Sequence, residues 1–467
     1  MQRSRRIGAV ALLICTVAAL AADYPLQVKN MSLEEARACP GGYGAYGDLQ
    51  KKMPGVTKTP AAVSKHPLFA RMQSYGPASE ETSTAAKWIL YFDESKGTGK
   101  GYDRMIVDVN ANGDLTDDPV VQKATQEGRD ANVDNALFGP VEVPASMAVG
   151  QWRPRFCVEL YVYNREGLNI QGDGGRVFIG RIQARAGNYL ETTVDLNGVK
   201  QRIAVVDGNC NFKLGESAQM LEANRGQGRQ SYYLYGRDWF LRDFNNDGRF
   251  VRTLGDTEAE HFSALIDVGG QPFSTALSDD LKSLRLEPYA GSVGKVKVEA
   301  LVTGFIVGWE KAEGQWEAVT PAIQNGFATL PAGKLRLCAC SVGAKNPEGR
   351  WVRGESSDVG TKTFNVAPGG ESALELGPPF KLQITYTKGS NRGESGGALG
   401  AVRSLFGGSG GSSATVLQMN VTTSGAAGEQ YSSFIQEGVR TGTVPPPKFE
   451  IIDENSKVVG TGNFEYG

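Results

Sequence analysis

The chain is poor in the residues that most often carry chemistry. Its only histidines are His66 and His261, which leaves little room for a histidine-based triad, a zinc site or an imidazole acid–base pair. Neither H-E-x-x-H nor a zinc-finger spacing occurs. Cysteine is scarce too. Six are present, and five remain once Cys15 is set aside with the leading segment; five is odd, so at least one thiol is unpaired or bonds another chain. Neither sign of charge dominates. The 49 Lys and Arg against 51 Asp and Glu give −2, or −5 without Arg3, Arg5 and Arg6, a balance that argues against a nucleic-acid partner, which usually requires a basic patch. Beyond residue 21 no apolar run is long enough to span a bilayer.

The one long apolar run stands at the start. Arg3, Arg5 and Arg6 precede an uncharged stretch from Ile7 to Leu20, and Ala19-Leu20-Ala21 forms an A-x-A cleavage pattern. Residues 1–21 therefore read as a secretory signal peptide. Ile14 before Cys15 argues against a lipoprotein. The expected location is secreted, periplasmic or at the cell surface, with no transmembrane helix after cleavage.

Glycine is what the chain has in excess. Its 60 glycines in 467 residues are about twice the usual share. With many Val, Thr, Tyr and Phe, this predicts short strands and many turns. The expected fold class is mainly β, a multi-domain set of antiparallel sheets and sandwiches with a short helical N-terminal lead-in. Ser32-Leu33-Glu34-Glu35 fits a capping box, so a short helix should run to Ala38. The stretch His66 to Met72 reads as a second helical turn with Pro67 at its start. The lead-in is placed at 22–85. A β domain follows over 86–287, opened by the apolar run Trp88 to Phe92. In it, Asn197-Gly198 between Thr193–Leu196 and Lys200–Val206 is a hairpin signal. Glu287-Pro288 marks a boundary, with one sandwich expected over 288–376 and a second over 377–467. The latter is interrupted by a Gly/Ser-rich loop at 389–413.

Three stretches repeat one acidic pattern, D-x-N-x-[ND]. They are Asp108-Val109-Asn110-Ala111-Asn112-Gly113-Asp114, Asp207-Gly208-Asn209-Cys210-Asn211 and Asp243-Phe244-Asn245-Asn246-Asp247-Gly248. Oxygen donors at alternate positions, with glycine at the sharp bend, suit a hard cation such as Ca²⁺. In loop one Asp108, Asn110 and Asn112 take positions one, three and five, Gly113 position six, and Asp114 contributes at seven. Thr116, Asp117 and Asp118 are candidates to close the shell. In loop three Asp243, Asn245 and Asp247 precede Gly248, with the Arg249 carbonyl at position seven and Asp256 as a late closing acid. In loop two Asp207, Asn209 and Asn211 keep the pattern, but Phe212 stands in place of glycine. Glu216 is its only nearby acid, and it reads as a turn built from the same residue types.

These loops resemble the calcium loops of dockerins, thrombospondin type 3 repeats and EF-hands. Loop one departs from EF-hands in having Pro119 at position twelve, and its flanks are strand-like. The resemblance implies calcium as the cofactor, bound weakly, as extracellular modules bind it at about 10⁻⁴–10⁻³ M. The strand Val296 to Val302 and the run Asn325 to Leu335, with Pro331-Ala332-Gly333, resemble the carboxypeptidase regulatory-like (transthyretin-like) sandwich family. That likeness implies a non-catalytic accessory module.

Catalytic signatures are poor. Gly393-Glu394-Ser395-Gly396-Gly397 and Gly407-Gly408-Ser409-Gly410-Gly411 match G-x-S-x-G, but a nucleophile elbow needs a strand before and a helix after, and both lie in the Gly/Ser segment. His261, following Asp256, Glu258 and Glu260, reads as part of a solvated acidic turn. Cys338-Ala339-Cys340 alternates within a strand, so both thiols are expected on one face. The leading expectation is a calcium-stabilised protein with a non-catalytic binding or structural role, its partner a glycan, a protein or an envelope component. The alternative is a polysaccharide hydrolase working through paired carboxylates.

Overall fold

The computed structural model describes residues 21–39, 45–62, 66–74, 88–97, 101–124, 135–162, 180–196, 199–217, 219–224, 230–235, 238–243, 246–250, 252–253, 256–268, 271–356, 363–390, 401–402, 415–426, 428–431, 433–436, 448–452 and 457–463. Strands make up 58% of the structure and helix 3%, so the chain is mainly β. Among the described residues one α-helix forms, Leu33–Ala38, and no helix is long and apolar enough to cross a membrane. The predicted capping box is present: the Ser32 hydroxyl accepts from the Glu35 amide, and the Glu35 carboxylate accepts from the Ser32 amide.

Two sheets enclose the first core. Leu68–Arg71, Ile89–Asp93, Arg104–Val107 and Val120–Gln122 form a four-stranded sheet in that order. Gln73–Ser74, Ala45–Asp48, Gly180–Ala186, Arg155–Val162 and Asn135–Glu142 form a five-stranded one. Trp88, Phe92, Phe138 and Phe156 fill the space between them. Every residue of Ile89–Asp93 is buried, because the outer face of that strand is also covered, by Met53 and by Leu115 from loop one. An apolar run without alternation is what such double coverage requires.

A second pair of sheets lies alongside. Ala259–His261, Trp239–Arg242, Val199–Val206, Asn188–Leu196 and Gln27–Asn30 pair in that order. Leu190, Val194, Ile203, Val205 and Phe240 from this sheet pack on the sheet of Ala22–Pro25, Ser283–Pro288, Gln271–Leu277 and Leu265–Val268. Leu196 stands opposite Val199, as a two-residue hairpin demands; Asn197 and Gly198 themselves lie outside the described residues.

The stretch expected as a lead-in is thus woven through all four of these sheets. His66 to Met72 is corrected from a helical turn to strand Leu68–Arg71, whose Leu68, Phe69 and Ala70 are buried. Pairing with Ile89–Asp93 outweighs the local proline signal. Residues 86–287 contribute to more than one core, the first around Trp88 and Phe156 and another around Leu190 and Phe240.

The C-terminal sandwich has one core, with Val296, Phe305, Val307, Leu330, Leu335 and Leu337 at its centre. One of its sheets runs Ile323–Gln324, Phe327–Pro331, Val293–Val298, Glu371–Leu374. The other runs from Gln230–Tyr235 and Gln219–Asn224 through Gln315–Val319, Val302–Ala312, Gly333–Lys345 and Trp351–Ser356 to Ser433–Gln436. That sheet borrows a hairpin from before residue 288 and a strand from beyond 377, so neither boundary is clean. A bulge lies in Gly333–Lys345: Val307 pairs with Leu337 and Ile306 with Ala339. The extra residue, Cys338, shifts the alternation. Cys340 joins the core while Cys338 does not, which corrects the expectation of both thiols on one face. All five described cysteines are free.

Within 389–413, Gly389 and Ser390 end strand Lys381–Ser390, and Ala401–Val402 pairs with Thr415–Ser424. The rest of that segment lies outside the described residues, Ser395 and Ser409 included.

Candidate metal centres in three acidic loops

Each loop continues directly from a strand: loop one from Arg104–Val107, loop two from Val199–Val206, loop three from Trp239–Arg242. The three share a left-handed backbone at two positions. Position four is left-handed in all, at Ala111 (φ 55°), Cys210 (51°) and Asn246 (56°). So is position six, at Gly113 (76°), Phe212 (65°) and Gly248 (80°).

The first aspartate is used identically each time. Asp108 accepts from the amides of Asn112 (3.1 Å) and Gly113 (3.0 Å). Asp207 accepts from Asn211 (3.2 Å) and Phe212 (2.8 Å). Asp243 accepts from Asp247 (3.1 Å) and Gly248 (3.0 Å). The fifth-position oxygens of Asn112, Asn211 and Asp247 accept from the amide two residues on. Asn110 and Asn209 do the same from position three, and Asn245 lies outside the described residues. Each such oxygen spends one lone pair on its turn and keeps another. The side chains of positions one, three and five in loops one and two, and of positions one and five in loop three, are thereby turned to the inside of the bend.

The surroundings differ. Loop one is pinned by residues 57 and 58, whose amides donate to the Gly113 carbonyl. Lys58 bonds Asp114 and holds its carboxyl down to about 2. Asp118 reaches back to the Val109 amide (3.4 Å) and leaves its other oxygen unpartnered. Burial, and then the nearby Asp108, push its carboxyl up to about 6. Asp117 accepts from the side-chain amides of Asn110 and Asn112.

Loops two and three sit at opposite ends of one antiparallel strand pair, in which Val206 faces Trp239 and Ile203 faces Arg242. Beside loop three stands Arg202, which donates to the Gly248 carbonyl (2.7 Å), to Tyr189 and to Glu191, with its guanidinium 4.3 Å from the centre of the Phe250 ring. A cleft of about 410 Å³ opens there, lined by Glu34, Glu35, Tyr189, Arg202, Arg249 and Phe250. Beside loop two stands Asp238, fully buried. Sequence reasoning passed over it, because only the strand register brings it to the loop.

Among the described residues no three His, Cys, Asp or Glu side chains form a ready-made metal cluster. The donors that the loops offer are mixed, carboxylate with amide and carbonyl oxygen, which suits a hard cation and not zinc. Glu258 and Glu260 are buried and Glu260 lies in strand Ala259–His261, which corrects the reading of a solvated turn around His261; the His261 ring lies 4.3 Å from that of Trp239. No family model matches the chain, and neither does any curated protein or solved structure.

Proposed function

We propose that this chain is a secreted or cell-envelope β-protein stiffened by calcium loops, with a non-catalytic binding or structural role. The observation that carries the reading is the shared conformation of the three loops, left-handed at positions four and six and anchored on the first aspartate. A tight bend of this kind presents alternate oxygens to one point, the geometry a calcium ion requires. The leading segment supports export, where millimolar calcium would fill weak sites. The sheets then offer a rigid surface for a glycan, a protein or an envelope component.

A polysaccharide hydrolase is the second reading, and it draws less support. The cleft beside loop three offers Glu34 and Glu35, but the Glu35 carboxylate is tied to the Ser32 amide and held below its usual range. A general acid needs the opposite shift.

The test is thermal unfolding of the exported chain in calcium and in chelator. An ion bound only by the folded state at a hundred times Kd adds about 2.7 kcal/mol. The midpoint should rise in millimolar calcium, fall in chelator, and shift less in Asp108→Ala. Identical midpoints in calcium and chelator would end the calcium reading.

A further inference from the structure

The two buried acids at loop two share a place where no described basic side chain pairs with them. Asp207 ends the strand Val199–Val206, and Asp238 immediately precedes Trp239–Arg242. With Val206 opposite Trp239, the register sets Asp207 and Asp238 across from each other as neighbours on one face. Asp238 is 0% exposed. One of its oxygens accepts from the Glu216 amide (2.8 Å), and the other, Oδ1, has no partner. Glu216 in turn accepts from the Asn211 side-chain amide, so Asp238, Glu216 and Asn211 are linked around the loop. Asp207 is 4% exposed and Asn209 2%. Leaving a carboxylate oxygen buried without a partner beside a second carboxylate is costly unless a cation between them, or a proton on one of them, offsets the charge.

We propose that Asp238 closes the loop-two shell. A calcium ion is held by the Asp207 carboxylate, the Asn209 and Asn211 amide oxygens and Asp238 Oδ1. The closing acid comes from the adjacent strand instead of from the twelfth position of the loop. Loop two then carries two full charges in a buried site and binds more tightly than loop three, whose neighbour across the same strand pair is Arg202. Oxygen donors alone, with the Cys210 thiol turned into the apolar core, favour calcium over a softer metal. This inference rests on the calcium reading and adds a residue to it.

The experiment counts calcium bound by the full chain after equilibrium dialysis in calcium chloride, with magnesium chloride as the control. Wild type, Asp238→Asn and Asp108→Asn are compared, and each is also melted in calcium and in chelator. The tightest site of the wild type should weaken at least tenfold in Asp238→Asn and persist in Asp108→Asn. In chelator Asp238→Asn should melt at or above wild type, since a buried charge has gone, and in calcium it should melt below. A purely structural Asp238 would give the same loss in both conditions. That result, a variant that fails to fold in both, or an unchanged tightest site overturns the inference while leaving calcium at the other loops. A wild type that binds no calcium overturns both readings.

Discussion

Loops two and three are the two ends of one strand pair, with the same turn and opposite surroundings. In loop three the left-handed residues Asn246 and Gly248 are exposed, and the neighbour across the sheet is Arg202. In loop two the equivalent residues, Cys210 and Phe212, are buried, and the neighbour is Asp238. Glycine at position six marks loop three as a cation loop by pattern, and its absence marks loop two as a mere turn. The structure separates the requirement from the residue that usually meets it. What the bend needs is a positive φ. Phe212 supplies it at a conformational cost, and its ring, 4.9 Å from that of Trp88 and 5.7 Å from that of Phe156, offsets the cost by burial in the first core.

The sharpest way to break this comparison is to remove that ring. Phe212→Ala keeps a side chain at positive φ but loses the packing, and should destabilise by about 3–5 kcal/mol. Urea unfolding would read it, and a loss below 1 kcal/mol would mean that the ring does not hold the bend. Gly248→Ala in loop three should cost only about 1 kcal/mol, because no atom lies within 4 Å of the added carbon. Gly113→Ala in loop one should cost more than Gly248→Ala, since the same carbon would collide with the Gly55 carbonyl oxygen.

A pH series in chelator probes the acids next. Burial raises the carboxyls of Asp207 and Asp238, and that of Asp118 to about 6. An acid raised in the folded state contributes stability that is complete below its unfolded value and is lost as pH rises through its folded one. The melting temperature in chelator should therefore fall as pH climbs from about 4 through 6 and beyond. In calcium the fall should shrink, because the ion favours the charged forms. A chelated protein that grows more stable over this range would contradict the buried-acid picture. The smallest effect concerns position four. Burial pushes the Cys210 thiol well up, so a thiol reagent at pH 8 should leave it untouched in the folded protein. Asn246→Cys, at the exposed equivalent position, should react at the rate of a free thiol with a loss of stability of about 1 kcal/mol, the cost of a left-handed residue other than Gly or Asn. Equal labelling at both positions would erase the distinction between the loops.

Much of the local structure is legible along the chain. The capping box at Ser32 and Glu35 forms because its partners are three residues apart. The Asn197-Gly198 signal leaves Leu196 opposite Val199. The three acidic loops bend alike because their hydrogen bonds close within five or six residues. Non-local pairings are not legible in this way. Leu68–Arg71 is a strand because Ile89–Asp93 lies beside it, and no pattern within His66 to Met72 carries that fact. The bulge at Cys338 answers to its partner strand, Val302–Ala312.

The sequence by itself therefore determined the β class, the turns and the alternating oxygens of the loops, since each depends on spacing within a few residues. Tertiary structure decided what stands across from each loop. A register between strands more than 30 residues apart sets Asp238 beside Asp207 and Arg202 beside loop three. Shifting that pairing by one residue would turn every side chain to the other face. Only the packed sheet, with Leu190, Ile203, Val205 and Phe240 held to the core, fixes which charge each loop meets.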